Sequence, residues 1–592
     1  MPHEARKNIM RNIHQKYVNE KYDDQGLLVD FSLEWPDDFN FGYDVVDNIA
    51  EADPDRMAMV WCNPEGEEHF FTFADMKYWS DKTANFFSDI GIGEGDYVLV
   101  AIRRHYQFWF IATALHKLGA VLIPATFMLK DHDLEYRLNG AGIKAMVATS
   151  LGDIAQICDN VADKCPELET KILVNGAGGG LTPEDENGTL LIDTCEGPIG
   201  AELSGPEGIC AAPIEREGWI DFNTAVREAS ADFKPRATKA ADPMIMYFSS
   251  GTTGNPKMVL HDSAYALGHL MTAKHWQNVQ SDGVHFTIAD TGWGKAVWGK
   301  YYGQWLMEAC VFTYDFDRFK ASDILDLIGK YHITTFCCPP TMYRLIMQED
   351  IDAYDLSSLV HSTTAGEALN PDLFDFWLEH TGLTIYEGFG QTETPVTIGN
   401  LTGSTPRSGS MGKPVPLYTI EIKRDDGTRC NPGETGEICI RCEPKQPGLM
   451  LGYYRDEEKT AEAMNNGWYH TGDTAWCDED GYLWYVGRND DVIKSSGYRI
   501  GPFEIESVLL EHDAVRECAV TGVPDPARTM IVKASVVLAP GFEASDELTK
   551  ELQDYVKEQT APYKYPRIID YIEALPKTVN GKIRRAVIRD EH

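Results

Sequence analysis

At 592 residues, 43% of them hydrophobic and 11% aromatic, the chain is too long for one compact core and apolar enough to build at least two domains. Its formal charge of −39, from 53 basic and 92 acidic residues, excludes a general binder of nucleic acid or of anionic membranes, and no apolar run is long enough to span a bilayer. Any anionic ligand therefore needs a local basic site. Thirteen cysteines without repeated Cys-x-x-Cys pairs of zinc spacing predict reduced thiols and a cytoplasmic protein.

Near the start, Arg6, Lys7, Arg11 and Lys16 alternate with Ile9, Met10 and Ile13, which predicts a weakly amphipathic first helix. Glu4, Glu20 and the absence of serine speak against a transit peptide. Residues 39–50 have a helical period, 57–61 and 70–73 read as short strands, and 74–90 as a helix. A strand at 97–102, a helix at 106–118 and a strand opening at 119–124 follow. This alternation predicts a largely parallel α/β sheet. Residues 175–217, rich in Gly, Pro and acids, predict a surface excursion.

Residues 249–257 read SSGTTGNPK between two apolar runs. Glycine lets amide groups approach a ligand closely, and successive amides make a concave nest for an anion. The hydroxyls of Ser249, Ser250, Thr252 and Thr253, the turns at Gly251 and Gly254, and Lys257 make phosphate the expected guest. The spacing is not that of a Walker loop. Residues 290–305 hold Trp293, Trp298 and Trp305 among Gly292, Gly294 and Gly299, a composition that suits a small-molecule pocket better than a plain helix.

Further on, residues 363–369 read TTAGEAL and 386–394 read YEGFGQTET. Thr392 can bond a phosphate oxygen, and Glu393 offers a hard oxygen to magnesium. Asp473, in HTGD, can accept from both hydroxyls of a ribose. Residues 433–440 and 452–454 predict strands of a small β-barrel, and Asn489, Asp490 and Asp491 form a turn-favouring polar run. Residues 491–592 predict a compact α/β unit, with a helix at 505–511, strands at 518–523 and 532–538, and an amphipathic helix at 545–559. Lys582 sits on a glycine-containing turn in PKTVNGKIRR.

Taken in order, SSGTTGNPK, YEGFGQTET and GRNDDVIKSSGYRI resemble the signatures of the adenylate-forming superfamily, and the wording at 290–305 looks closest to its medium-chain acyl-CoA synthetase branch. The resemblance covers roughly residues 39–587. It implies a large N-terminal domain of α/β sheets with a small β-barrel (1–488), a hinge at Asp490, and a small mobile C-terminal α/β domain (491–592). It implies that Gly366, Glu367 and Ala368 lie against adenine. Glu387, Gly388, Phe389, Gly390 and Gln391 continue the nucleotide site, with Phe389 standing where relatives often have Tyr and so lacking a hydroxyl. Arg488 would reach ribose or phosphate, Arg499 the phosphate, and Lys582 the substrate carboxylate and α-phosphate. Trp293, Gly294, Lys295 and Trp298 would shape the acyl pocket, and Ser496, Gly497 and Tyr498 would meet coenzyme A.

The activity implied is ligation of a short, branched or medium-chain acid to coenzyme A through an acyl-adenylate, using ATP and magnesium. Aromatic acids or acetate are alternative substrates, and a homodimer is compatible. A domain that loads a carrier protein is a second reading, disfavoured because no module with a phosphopantetheine serine follows Arg585. A non-enzymatic nucleotide sensor is a third, disfavoured by the intact Lys257, Glu393, Asp473, Arg499 and Lys582.

Overall fold

The computed structural model describes residues 12–176, 215–249, 255–367, 369–495, 498–526, 528–577 and 583–590. Most of the excursion expected at 175–217, and most of the first helix, lie outside these residues; at the start only a single 3-10 turn, Ile13–Lys16, is described.

Strands buried on both faces read as continuous apolar runs, and here they form two large sheets. The first runs in the order Gly452–Tyr453, Lys257–Asp262, Pro243–Ser249, Val121–Pro124, Tyr97–Ala101, Ala145–Thr149, Thr170–Val174, Ile220–Asp221. From Pro243–Ser249 onward its pairings are parallel. The second runs Lys413–Pro414, Ile398–Gly399, Ile385–Phe389, His361–Ala365, Thr335–Cys337, Val284–Thr287, Cys310–Tyr314, Met57–Cys62, Glu68–Thr72, parallel through its centre and antiparallel at both edges.

Every residue of the helix Gln107–Leu118 is buried. A helix that is apolar on all sides has to be enclosed, and its few polar groups are matched accordingly. Trp109 Nε1 donates to the Lys300 carbonyl at 2.8 Å, His116 Nε2 lies 2.9 Å from the Tyr302 hydroxyl, and Lys117 Nζ meets Asp81 at 2.6 Å and Asp47 at 2.7 Å. Gly119 ends the helix at φ 69°, a left-handed cap that glycine takes without strain. The preceding helix, Phe73–Asp89, starts at a reciprocal cap between Thr72 and Asp75.

The small β subdomain is an antiparallel sheet ordered Ile420–Lys423, Gly436–Arg441, Trp468–Cys477, Met464–Asn465, with Leu483–Arg488 also pairing with Trp468–Cys477. Beyond it, Val515–Asp525, Thr529–Leu538 and Ile568–Tyr571 form a three-stranded sheet with the helices Pro502–Leu510 and Asp546–Gln559 and a core of its own around Ile505, Val520, Ala534 and Leu552. The central strand Thr335–Cys337 is short, because Pro339 caps and Pro340 opens the helix Pro340–Ile346 directly after it.

Burial holds His116, His261, His269 and His285 neutral down to about 3, and His361 down to about 4. In the unfolded chain each takes a proton near its ordinary value of 6.5, so the unfolded state gains protons first as pH falls, and stability is lost from pH 6.5 down to about 3. His14, lowered by burial to about 4, acts in the same sense; Glu387, raised by burial to about 8, acts in the opposite one between pH 4.5 and 8, as do other buried carboxyls such as Glu393, so the histidines outnumber the strongly raised carboxyl. The thermal midpoint should therefore fall by several degrees from pH 7 to pH 5.5, as followed by circular dichroism; a midpoint unchanged or higher at pH 5.5 contradicts this account.

Candidate functional site

Lys257 opens the strand Lys257–Asp262 and pairs across the hairpin with Ser249, so the glycine-rich loop is the tip joining two core strands. Residues 250–254 of that loop, Ser250, Gly251, Thr252, Thr253 and Gly254, lie outside the described residues. The next strand of the sheet, Gly452–Tyr453, pairs Tyr453 with Val259. Side chains alternate along a strand, and Lys257 and Val259 therefore share the face on which Tyr453 stands. The Lys257 ammonium lies 4.6 Å from the centre of the Tyr453 ring and 3.4 Å from its hydroxyl.

From the other sheet, the chain turns after Ile385–Phe389. The turn is closed by Thr394 N donating to the Gln391 carbonyl (3.2 Å) and Gln391 N to Thr394 Oγ1 (3.1 Å). His261 Nε2 lies 2.8 Å from the Thr392 carbonyl, and Met450 N donates to the Glu393 carbonyl at 2.9 Å. Thus fixed from the first sheet, Glu393 receives the Tyr453 hydroxyl on Oε1 at 3.1 Å. Burial raises the proton affinity of Glu393, opposed by that hydrogen bond and by the charges of Lys257 and Arg488.

Asp473 stands beside this group. Its Oδ1 accepts from the Tyr485 hydroxyl at 3.0 Å and its Oδ2 from the Gln391 side-chain amide, while Arg488 Nη1 lies 3.6 Å away on the paired strand. The Tyr469 hydroxyl donates to Gln391 Oε1 at 2.6 Å, and the Gln391 amide also reaches the Thr471 carbonyl at 2.9 Å. Phe389 faces Tyr485 with ring centres 6.4 Å apart. The structure thereby gathers Lys257, Gln391, Thr392, Glu393, Asp473 and Arg488 from both sheets and the β subdomain. Tyr453, Tyr469 and Tyr485, which orient the charged groups, were missed, since a tyrosine on an alternating strand carries no motif of its own.

The glycines of this region are set by packing. A Cβ at Gly388 would lie 2.6 Å from the Trp276 indole, and one at Gly390 would lie 2.3 Å from the Trp298 indole and 2.4 Å from the Pro395 carbonyl oxygen. Gly292 lies against the backbone of Ala125 and Gly299 against Thr287, so there the close neighbour is the protein itself; at Gly294 a Cβ would meet nothing within 4 Å. Trp298 is only 6% exposed, between His269, Trp276 and Gly390. Trp293 precedes the helix Gly294–Lys300, and its buried Nε1 has no hydrogen-bond partner among the described residues. Lys295 Nζ donates to the Ala365 carbonyl at 2.8 Å, next to Gly366, whose φ of 97° favours glycine. Glu367 is exposed and accepts from Thr341 at 2.7 Å. Glu387 is buried, and its Oε2 lacks a hydrogen-bond partner among the described residues.

Asp490 is held from two directions, with Arg488 Nε 3.7 Å from Oδ1 and Arg589 Nη1 donating to its carbonyl at 2.8 Å. Ala368, Ser496, Gly497 and Lys582, and the side chains of Tyr498 and Arg499, lie outside the described residues.

Comparison with known proteins was consistent over nearly the whole length. A profile described as AMP-binding enzyme matches residues 46–454, and one described as AMP-binding enzyme C-terminal domain matches residues 504–582. The chain is 39% identical over 566 residues to the human protein named acyl-coenzyme A synthetase ACSM5, mitochondrial, covering 94% of this chain and 91% of the other. It is 38% identical over 575 residues to mouse acyl-coenzyme A synthetase ACSM3, mitochondrial, covering 95% and 92%. Among solved structures, the anthranilate CoA ligase AuaEII in complex with anthranoyl-AMP superposes with a TM-score of 0.80 at 27% identity, covering 94% of this chain and 98% of that one. Brucella canis acyl-CoA synthetase superposes at 0.67 with 30% identity, covering 93% and 94%.

Gly390→Ala should destabilise the protein by about 2 kcal/mol, because neither the Trp298 ring nor the Pro395 carbonyl can retreat freely. Gly294→Ala, with open space at the same distance, should leave the unfolding midpoint nearly unchanged. Thermal unfolding of the two variants side by side checks this, and equal midpoints would contradict it.

Proposed function

The chain belongs to the AMP-binding enzyme family, and from that premise we propose that this site converts a short, branched or medium-chain carboxylic acid, ATP and coenzyme A into acyl-CoA, AMP and pyrophosphate. The observation that carries the reading is the meeting of Lys257 and Glu393 on the Tyr453 hydroxyl, beside a carboxylate, Asp473, held by a phenol and an amide.

A carboxylate is a poor acyl donor because its leaving group would be oxide. Attack of its oxygen on the α-phosphorus of ATP expels pyrophosphate and leaves a mixed anhydride. The thiolate of coenzyme A then takes the acyl group and releases AMP. The first step asks the protein for positioning and for neutralisation of phosphate charge. Lys257 and the loop at 249–254 would hold the β- and γ-phosphates, with Arg488 and Arg499 supplementing them. Thr392 would bond the α-phosphate, and Asp473 would accept the ribose hydroxyls. Gly366, Glu367, Ala368 and the segment 387–391 would frame the purine.

Glu393 suits a divalent cation on chemical grounds: it is a buried carboxylate, one oxygen already oriented by a hydroxyl, whose burial disfavours carrying its charge alone. Magnesium held there would neutralise triphosphate charge. Trp293, Gly294, Lys295 and Trp298 would border the acyl group, and the buried Trp298 indole sets how deep that border lies. Lys582 would follow charge from the attacking oxygen to phosphorus. For the second step the unit from 491 onward would rotate about Asp490 and bring Ser496, Gly497 and Tyr498 to coenzyme A. The polar run at 489–491, clasped by Arg488 and Arg589, supports that hinge.

The likeness to the anthranilate ligase favours an aromatic acid as a second reading. A coenzyme A-dependent screen running from acetate to dodecanoate, with branched and aromatic acids included, separates the two. The relatives named above are mitochondrial by their names, and no helix among the described residues is long and apolar enough to cross a membrane; cell fractionation decides between that compartment and the cytoplasm.

Lys582→Ala should reduce acid-dependent exchange of pyrophosphate into ATP by about a thousandfold or more, yet spare thioester formation from supplied acyl-AMP; equal losses in both assays would remove the role. Trp298→Gly should shift the ratio of kcat/KM for longer over shorter acids by about tenfold. An unchanged chain-length profile would take Trp298 out of the pocket.

A further inference from the structure

The β subdomain carries a second cluster of ligating groups. Along Gly436–Arg441 the alternation sends Ile438 and Ile440 into the core and puts Glu437 and Cys439 on the opposite face. Cys439 pairs in register with His470 on one neighbouring strand and Glu421 on the other. His470 Nδ1 lies 2.8 Å from Glu437 Oε2 and 3.6 Å from Cys439 Sγ, and Sγ lies 4.0 Å from Glu437 Oε2.

The Glu437–His470 pairing is that of an ordinary acid–histidine contact, for which the thiol is not needed. A tetrahedral zinc ion with Zn–S of about 2.3 Å and Zn–N of about 2.0 Å would set sulfur and nitrogen roughly 3.6 Å apart and oxygen and nitrogen roughly 3.3 Å apart. The sulfur–nitrogen distance already matches, and the other two need changes of about half an ångström, within the reach of side-chain rotation. All three donors come from two adjacent strands whose register shifts between Glu437 and Cys439, an irregularity that brings His470 opposite Cys439 and within reach of Glu437. Cys439 is fully buried, whereas Glu437 and His470 are each between a fifth and a third exposed, so an ion would reach the sulfur from the side of those two groups, where a fourth ligand can come from solvent.

We propose that Glu437, Cys439 and His470 form a binding site for a zinc-class divalent cation, with water as the fourth ligand. Binding releases the Cys439 proton to solvent as the sulfur–metal bond forms. The second oxygen of Glu437 accepts the Gly472 amide at 2.9 Å, and Gly472 precedes Asp473. An ion that fixes Glu437 therefore also fixes the strand that carries the carboxylate assigned to ribose.

Cobalt(II) reports thiolate ligation directly, and the measurement needs no acyl-CoA activity, so its failure leaves the proposed reaction untouched. Full-length protein stripped with a chelator and titrated with cobalt(II) should bind one equivalent with a near-ultraviolet sulfur-to-metal absorption band, discharged by zinc. Cys439→Ser should abolish the band. His470→Gln and Glu437→Gln, checked for native circular dichroism, should each weaken binding by more than about tenfold, since loss of a ligand costs at least what loss of its outer support does. No band, or a band that persists in Cys439→Ser, overturns the proposal.

Discussion

The site depends on keeping a buried carboxylate near an ammonium without letting the two collapse onto each other. Removing Glu393 from water costs several kcal/mol unless its oxygens are engaged, and the Tyr453 hydroxyl both engages one oxygen and stands between it and Lys257. A direct Lys257–Glu393 pair would satisfy both charges and leave neither free for a third party. With the phenol interposed, each keeps unspent capacity. This requires three segments to agree: the strand from Lys257, the turn at 391–394 and the edge strand Gly452–Tyr453. The first and last belong to one sheet and the turn follows a strand of the other, so the contact also ties the sheets together.

Around that contact the packing leaves little slack. Gly388 and Gly390 let the indoles of Trp276 and Trp298 lie directly on the chain that leads to Gln391, Thr392 and Glu393. A shift of the tryptophan cluster would displace those residues with it, because dense interiors transmit strain. Asp473 is treated similarly from the β subdomain, held by Tyr485, Gln391 and Arg488. The polar groups are oriented before any ligand arrives, which removes part of the ordering cost of binding.

Much of the fold could be read from sequence because the strands at 97–101 and 121–124 are plain apolar runs separated by a helix. The site was legible where chemistry leaves unusual wording, as with Lys257, Glu393 and Asp473. It was not legible at Tyr453, Tyr469 and Tyr485, which acquire their tasks only when strands far apart in the chain come into register. The glycines at 292 and 299 were read as part of a composition suited to a small-molecule pocket, whereas in the fold they accommodate Ala125 and Thr287. Sequence reports that a side chain is missing but not what fills its place.

The order of strands in the second sheet bears on biosynthesis. Met57–Cys62 has Glu68–Thr72 as its local neighbour, but on its other side it pairs with Cys310–Tyr314. A ribosome adding about 5–20 residues per second needs roughly 12–50 s to deliver that partner. Throughout this interval an apolar hairpin has one edge without its mate, a state that invites pairing with other nascent chains. The hairpin edge is thus closed only after the segment carrying Cys310–Tyr314 has been made.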